Sequence, residues 1–175
     1  MATHYSWDEY FMTMAYLISM KSKDPSTRVG AVIVDEDKEI RSTGYNGLPR
    51  GVTDKPDRYA DKNYKYLASN HAEENALLYC ARVGTAIKNC SLYTTWIPCS
   101  RCAKSIIQVG IKEVIFDANF PGNLVSNQNE YWRESIQISK EILLEANVKI
   151  REYDKKLIEI KGLYQAKEFC VKYTT

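Results

Sequence analysis

Hydrophobic residues recur along this chain with two different periods, and each period identifies a type of secondary structure. Apolar residues spaced by three or four positions predict amphipathic helices. These helices are expected at about 6–20, 72–83, 100–109 and 130–146. Short runs rich in β-branched residues predict buried strands. These strands are expected at 29–34, 40–45, 91–96, 113–117 and 148–152, and the polar turn after the first predicts a hairpin.

Two segments have no clean period. The polar stretch at about 52–70 is typical of an insertion, and it predicts a lid, an oligomer contact or a solvated surface loop. The extension from about residue 155 predicts one further helix at about 163–171. Since no internal repeat is present, residues 1–175 are expected to form a single domain.

Composition narrows the classes of function without selecting one. The chain has 175 residues, of which 45% are hydrophobic and 26% charged, as in an ordinary globular domain. A formal net charge of +2 and the lack of a basic run argue against a nucleic-acid partner and favour a small-molecule substrate. No apolar stretch approaches the ~20 residues of a membrane span, and residues 1–5 lack the pattern of a secretory signal.

The five cysteines suit a reducing compartment, so we expect a cytoplasmic protein. Cys80, Cys90 and Cys170 are expected to be small buried hydrophobic residues. The remaining two, Cys99 and Cys102, form a C-x-x-C pair and are candidates for chemistry.

The candidate chemistry is concentrated in His71, Glu73, Cys99 and Cys102. A catalytic zinc typically has three nitrogen or sulfur ligands from the protein and a fourth position for water. His71, Cys99 and Cys102 supply three such ligands. Glu73 is two residues from His71, so on a helix the two side chains diverge, and Glu73 is a neighbour of the metal and not a ligand. An H-x-E motif followed by P-C-x-x-C is typical of zinc-dependent nucleobase deaminases, in which the Glu moves protons.

Simpler interpretations of these residues stay open. The C-x-x-C pair alone is compatible with a redox dithiol, which would leave His71 and Glu73 without a role. A structural zinc would need a fourth ligand, for which Cys80 and Cys90 are the candidates. Asn70 and Glu73 have the spacing of a capping box, so Glu73 could simply cap the helix. The joint occurrence of both motif halves favours the deaminase interpretation.

Five stretches of the chain resemble the cytidine and deoxycytidylate deaminase superfamily, and within it the deoxycytidylate deaminases. They are SKDPSTRVGA at 22–31, GYNGLP at 44–49, HAEENA at 71–76, PCSRCAK at 98–104 and GIKEVI at 110–115. The zinc motif alone fits the whole superfamily, whereas the first two stretches are more specific. The likeness covers about residues 6–152 in the right order.

This resemblance implies a fold, a reaction and partners. The expected fold is α/β, a three-layer α/β/α sandwich around a five-stranded mixed sheet. The expected reaction is the hydrolysis of dCMP to dUMP and ammonia, with Zn²⁺ as the cofactor. Members are commonly homo-oligomers, often hexamers, that dCTP activates and dTTP inhibits, and Mg²⁺ is expected with such a triphosphate effector.

The resemblance also assigns roles to residues outside the zinc motif. Asn46 is expected to hydrogen-bond the deoxyribose, while the backbone of Ala72 and the region of Pro98 read the edge of the pyrimidine. Phe120 stands where relatives often have a Tyr that packs on the base, so the stacking is kept and the hydroxyl is lost.

The remaining assignments concern phosphate groups. The substrate phosphate is expected near Thr27, Arg28 and Arg82, although an exposed Arg is most often simply solvated. A nucleotide effector is expected at the loop after the second strand, with contacts from Tyr45, Gly47 and Arg50.

Two other functions remain compatible with the sequence. Another zinc deaminase could act on dCTP, on cytidine or deoxycytidine, or on a tRNA adenosine, although a tRNA enzyme would be expected to present a basic face. A non-catalytic binding module would hold a structural zinc with four protein ligands and no open position.

Overall fold

A mixed sheet of five strands forms the centre of the protein, for which the computed structural model describes residues 4–123 and 129–158 and the backbone of 161–164 and 167–170. The strands are β1 (Gly30–Val34), β2 (Ile40–Tyr45), β3 (Ser91–Thr94), β4 (Glu113–Asp117) and β5 (Lys149–Tyr153). Their spatial order is β2-β1-β3-β4-β5. β1 pairs antiparallel with β2 and β3, while β4 pairs parallel with β3 and β5. The predicted five-stranded mixed sheet is thereby confirmed.

Four of the five predicted helices are present, with boundaries within two residues of those expected. The α-helices of the described residues are α1 (Trp7–Ser19), α2 (Pro56–Ala60), α3 (Lys62–Ala68), α4 (Ala72–Val83), α5 (Ser100–Gln108) and α6 (Glu130–Glu145). Ser6 caps α1 as expected, because its hydroxyl oxygen accepts a hydrogen bond from the backbone N–H of Glu9 at 3.2 Å. The two short helices, α2 and α3, were not predicted.

Strand β1 has apolar side chains on both faces of the sheet, and helices cover both faces. All of its residues are buried. Successive side chains of a strand point to opposite faces, and accordingly Ile33 packs in the cluster formed with α4, α5 and α6. Val32 and Val34 pack in a second cluster, with Phe11 and Met12 of α1. Helices on both faces of the sheet confirm the three-layer α/β/α sandwich.

Two glycines allow helices to lie directly against the sheet. A Cβ atom at Gly30 would lie 1.9 Å from the carbonyl oxygen of Ala15, and one at Gly44 would lie 2.1 Å from that of Ala72. Both approaches are far too close for any side chain, so the sequence requires glycine here. Gly44 thereby determines how closely the start of α4, which carries the candidate zinc and proton-transfer residues, approaches β2.

The 52–70 segment is more ordered than its polar sequence indicates. It forms α2 and α3, and the exposed fractions of Tyr59 and Lys65 are only 7% and 8%. The Tyr59 hydroxyl donates to a carboxylate oxygen of Asp54 at 2.6 Å within the same segment. The segment is therefore helical and not a loop, although most of its residues are exposed at the surface.

The predicted helix at 163–171 is also wrong. Strands β6 (Lys161–Tyr164) and β7 (Lys167–Cys170) pair antiparallel, with Lys161 opposite Cys170. Gly162 is a poor helix residue, and Leu163, Tyr164 and Phe169 are common in strands. The apolar spacing alone did not distinguish a helix from a hairpin of short strands.

Two further predictions concern the burial of the cysteines and the lack of a membrane-spanning segment. Cys80 and Cys90 are buried free thiols, as expected, whereas the side chain of Cys170 lies outside the described residues. Among the described residues, no helix has both the length and the apolar character needed to cross a bilayer.

Candidate active site

Three side chains meet where α4 and α5 begin. His71 is the N-cap of α4, Cys99 is the N-cap of α5, and Cys102 lies in the first turn of α5. Nδ1 of His71 lies 3.3 Å from Sγ of Cys99 and 3.4 Å from Sγ of Cys102. Tetrahedral zinc with its usual bond lengths holds a nitrogen and a sulfur ligand about 3.6 Å apart. The three donors therefore fit a zinc ion.

The cluster does not include the fourth ligand that a structural zinc would need. In the part of the chain that the structure describes, the candidate metal group consists of His71, Cys99 and Cys102 alone. Cys80 lies about 12 Å further along α4, and Cys90 precedes β3 at the end of that strand opposite Cys99. Three protein ligands leave a position for water, as in catalytic zinc sites.

Glu73 is buried beside this cluster, with 3% of its surface exposed. Its carboxylate accepts a hydrogen bond from Sγ of Cys102 at 3.8 Å. Burial raises the pKa of Glu73 to about 7, because desolvation disfavours the charged form. A carboxyl group with a pKa near neutrality can both take up and release a proton.

The helix is capped by a different residue. The carboxylate of Glu74 accepts from the backbone N–H of His71 at 3.4 Å and pairs with the guanidinium of Arg101 at 2.9 Å. The capping role considered for Glu73 with Asn70 is therefore wrong, and the side chain of Glu73 remains available for chemistry.

The two thiols of the cluster have opposite pKa shifts. The hydrogen bond from Cys102, supported by His71, lowers the pKa of Cys99 to about 4 against the opposing effect of burial. The same neighbour, Cys99, raises the pKa of Cys102, and burial adds to this. A thiolate at the start of α5 is the form that binds a metal.

A cavity of about 690 Å³ opens onto the cluster, within the usual size range of small-molecule sites. One part of its wall is aromatic, formed by Trp96, Phe120 and Trp132. Another part carries cations, from Arg28 and Lys65. The cleft therefore offers flat apolar surfaces, including Trp132 beside His71, and two cationic side chains, of which Lys65 is paired with Asp24.

Most of the predicted site residues line this cleft. Those that the structure brings together there are Thr27, Arg28, Asn46, His71, Ala72, Glu73, Cys99 and Phe120. Others lie outside its described lining. These are the buried residues Pro98 and Cys102, the exposed Arg82 in the last turn of α4, Tyr45 at the end of β2, and the loop residues Gly47 and Arg50.

The amide group of Asn46 is largely used by the protein itself. Its Oδ1 accepts from the backbone N–H of Val29 at 2.8 Å, and its Nδ2 donates to the carbonyl of Thr27 at 2.9 Å. One N–H of Nδ2 remains for a ligand. Asn46 therefore orients the 27–29 segment as well as facing the cleft.

Sequence reasoning missed Lys65 and Trp132. The ammonium of Lys65 donates to Oγ of Ser26 at 2.7 Å and pairs with Asp24 at 3.1 Å. Asp24, a carboxylate next to an expected substrate segment, was a signal that a cation lies nearby. It did not indicate which lysine of the distant 52–70 segment would supply it.

Comparison with known proteins identifies the family. Residues 5–118 match the model of the cytidine and deoxycytidylate deaminase zinc-binding region, which is more than half of the chain. The chain belongs to this family. The matched region contains the His71, Cys99 and Cys102 cluster described above.

Individual relatives of the family share both sequence and fold with the chain. It is 48% identical over 115 residues to the deoxycytidylate deaminase of Pongo abelii, a match that covers 63% of this chain but only 64% of that enzyme's length. An uncharacterised deaminase of Aliivibrio fischeri is 40% identical over 144 residues, covering 82% of this chain and 91% of the relative. The dCMP deaminase of cyanophage S-TIM5, solved in complex with dCMP and dUMP, is 26% identical with a TM-score of 0.65, covering 86% of this chain and all of that chain.

Proposed function

We propose that this protein is a zinc-dependent hydrolase that converts dCMP and water to dUMP and ammonia. The observation that carries the proposal is the position of Glu73, buried beside a cluster of three zinc ligands at the end of a cleft whose other wall carries cations. The names of the relatives support it, since one is called a deoxycytidylate deaminase and another was solved with dCMP and dUMP.

The residues of the chain divide the chemistry between them. His71, Cys99 and Cys102 would hold a zinc ion, which supplies a Lewis acid and water of lowered pKa. Glu73 takes a proton from the attacking water and delivers it to N3 of the cytosine, which makes C4 electrophilic. After the oxygen has bonded to C4, Glu73 takes the remaining proton of the new C4 hydroxyl and transfers it to the amino nitrogen; the C4–N bond breaks as the C4 carbonyl forms, and ammonia leaves.

Substrate recognition is proposed for residues on both sides of the cleft. The free N–H of Asn46 suits the deoxyribose, and Phe120 offers a ring face to the base. Arg28, Thr27 and Lys65 suit a 5′-phosphate, since cationic side chains and hydroxyl groups are its usual partners. The backbone of Ala72 and the region of Pro98 remain the proposed readers of the pyrimidine edge. Arg82 lies outside the cleft and is left as a surface residue.

We also propose that the protein is a cytoplasmic homo-oligomer, up to a hexamer, regulated by dCTP and dTTP with Mg²⁺. The effector loop containing Tyr45, Gly47 and Arg50 is tied to the zinc site, because the backbones of Gly47 and Asn70 exchange hydrogen bonds of 3.1 and 2.9 Å directly before His71. Exposed apolar side chains of α4, such as Leu78 and Val83, suit contact with a second copy. The free thiols of Cys80, Cys90, Cys99 and Cys102 suit a reducing compartment.

The substrate assignment is tested by measuring ammonia release from dCMP, dCTP, deoxycytidine and cytidine with zinc-loaded protein. We expect kcat/KM to be highest for dCMP. A value for deoxycytidine equal to that for dCMP would contradict the phosphate-binding role, and release from none of the four would contradict the function. Adding dCTP or dTTP with Mg²⁺ to the dCMP assay tests regulation, which unchanged kinetics would contradict.

A further inference from the structure

Trp132 connects the aromatic side chains that line one end of the cleft. It lies in the first turn of α6, where its backbone N–H donates to Oδ1 of Asn129 at 3.0 Å. Its ring centroid lies 5.2 Å from that of Trp96 and 6.1 Å from that of His71. Tyr66 of α3 lies roughly perpendicular to it at 6.3 Å. One side chain therefore bridges three otherwise separate parts of the cleft wall.

This placement is not part of the pattern that defines the family. The family match covers residues 5–118, and the whole of α6 lies beyond them. The ring is half-buried and packs at the border of the main hydrophobic core, not within it. A large, partly exposed ring at the wall of a cavity is typical of ligand recognition, because it offers a broad apolar face with little loss of side-chain entropy.

We propose that Trp132 positions the substrate by stacking on its pyrimidine ring at the end of the cleft that holds His71 and Glu73. The inference rests on the proposed function, since the ligand is a pyrimidine nucleotide. Every nucleobase has a flat face that stacks on an aromatic ring, so stacking holds the plane of the base without selecting its edge. The ring of Trp132 fixes that plane while the Glu73 carboxyl exchanges a proton with N3.

The test measures dCMP binding by titration calorimetry in the zinc-loaded, full-length Glu73→Gln variant, which prevents turnover. In this background Trp132→Ala is expected to weaken binding about 5- to 150-fold, the effect of one lost base stack. Trp132→Phe keeps a ring and is expected to weaken binding less. Leu144→Ala is the control, because Leu144 lies on the same helix, is 62% exposed and lies outside the described lining of the cleft.

A second measurement distinguishes positioning of the substrate by Trp132 from a role in which Trp132 only shields His71 from solvent. Zinc affinity, measured by competition with a chelator, is expected to be the same in Trp132→Ala and its parent, and in the active protein KM should rise more than kcat falls. Unchanged dCMP binding in Trp132→Ala, or loss of zinc as its main defect, would overturn the inference. If the zinc-loaded Glu73→Gln parent does not bind dCMP, the proposed function itself fails, whatever residue stands at position 132.

Discussion

The ammonium group of Lys65 lies 3.1 Å from the carboxylate of Asp24, and both side chains are buried at the edge of the cleft. Asp24 also accepts hydrogen bonds from the backbone N–H groups of Ser26 and Thr27 at 2.8 and 3.2 Å. Lys65 comes from α3 and Asp24 from the loop before β1, so the pair joins the 52–70 segment to the expected substrate segment. These contacts hold the charged wall of the cleft together.

Replacing Lys65 should selectively reduce activity on a phosphorylated substrate. For Lys65→Met we expect kcat/KM for dCMP to fall about 10- to 100-fold, the effect of losing one hydrogen bond to a charged group. Activity on deoxycytidine should change much less, because that substrate has no phosphate. The measurement is the ratio of the two kcat/KM values.

Stability must be controlled in the same series, since Lys65→Met leaves Asp24 without its cation. We expect the free energy of unfolding to fall by about 1–3 kcal/mol, while Lys65→Arg should restore most of it. Lys62→Met, on the exposed face of α3, is the control for a lost surface charge. Equal losses for dCMP and deoxycytidine in Lys65→Met would contradict a phosphate role.

Glu73→Gln should nearly abolish deamination while keeping zinc bound. The variant preserves shape but removes the proton carrier, so we expect kcat to fall by about 10²- to 10⁴-fold. Metal content by atomic absorption gives the second readout. Cys90→Ser, which lies outside the metal cluster, should keep both zinc and activity, and a loss of zinc there would favour a structural four-ligand site.

Gly44→Ala should disturb the zinc site by pushing the start of α4 away from β2. The new Cβ would meet the backbone oxygen of Ala72 at 2.1 Å, and we expect a loss of about 1–3 kcal/mol in unfolding free energy from overpacking. Zinc affinity should fall as well, because the start of α4 carries His71. Gly47→Ala is the control, since its Cβ would have no neighbour closer than 4.0 Å.

The Asp8–Arg151 pair should contribute to stability at neutral pH and not in strong acid. The hydrogen bond from Arg151 lowers the pKa of Asp8, so the unfolded chain binds a proton more readily than the folded one. The contribution is therefore complete above the ordinary pKa of Asp and is lost as pH falls through the lowered value. Arg151 also pairs with Glu113 at 3.1 Å. Because these pairs are partly exposed, we expect Arg151→Met to lower the free energy of unfolding by about 0.5–1 kcal/mol at neutral pH.

That difference should shrink as the pH falls below the ordinary pKa of Asp, about 3.9, as measured by urea unfolding at several pH values. Arg41→Met removes a longer pair, at 3.7 Å from Asp35, and serves as the control. A constant difference across the whole pH range would show that Arg151 acts through packing alone.

The sequence by itself determined most of the local elements and the candidate metal cluster. The spacing of the apolar residues located the main helices and strands. This works because the buried face of a helix or strand is formed by residues that are close together in the sequence. The spacing of His71, Glu73, Cys99 and Cys102 predicted a metal cluster with a neighbouring acid, and the structure brings these four side chains together at the starts of α4 and α5. Glycine requirements such as that at Gly44 became visible only in the packed fold.

Only the tertiary structure decided which distant residues complete the cleft. Lys65 and Trp132 lie on α3 and α6, and nothing in their local sequence distinguishes them from exposed neighbours such as Lys62 and Tyr131. Arg82 was a reasonable candidate by position along α4, yet the helix carries it away from the cavity. The physical reason is the same in each case. Whether a side chain reaches the cavity depends on how helices that are far apart in the chain pack against the sheet.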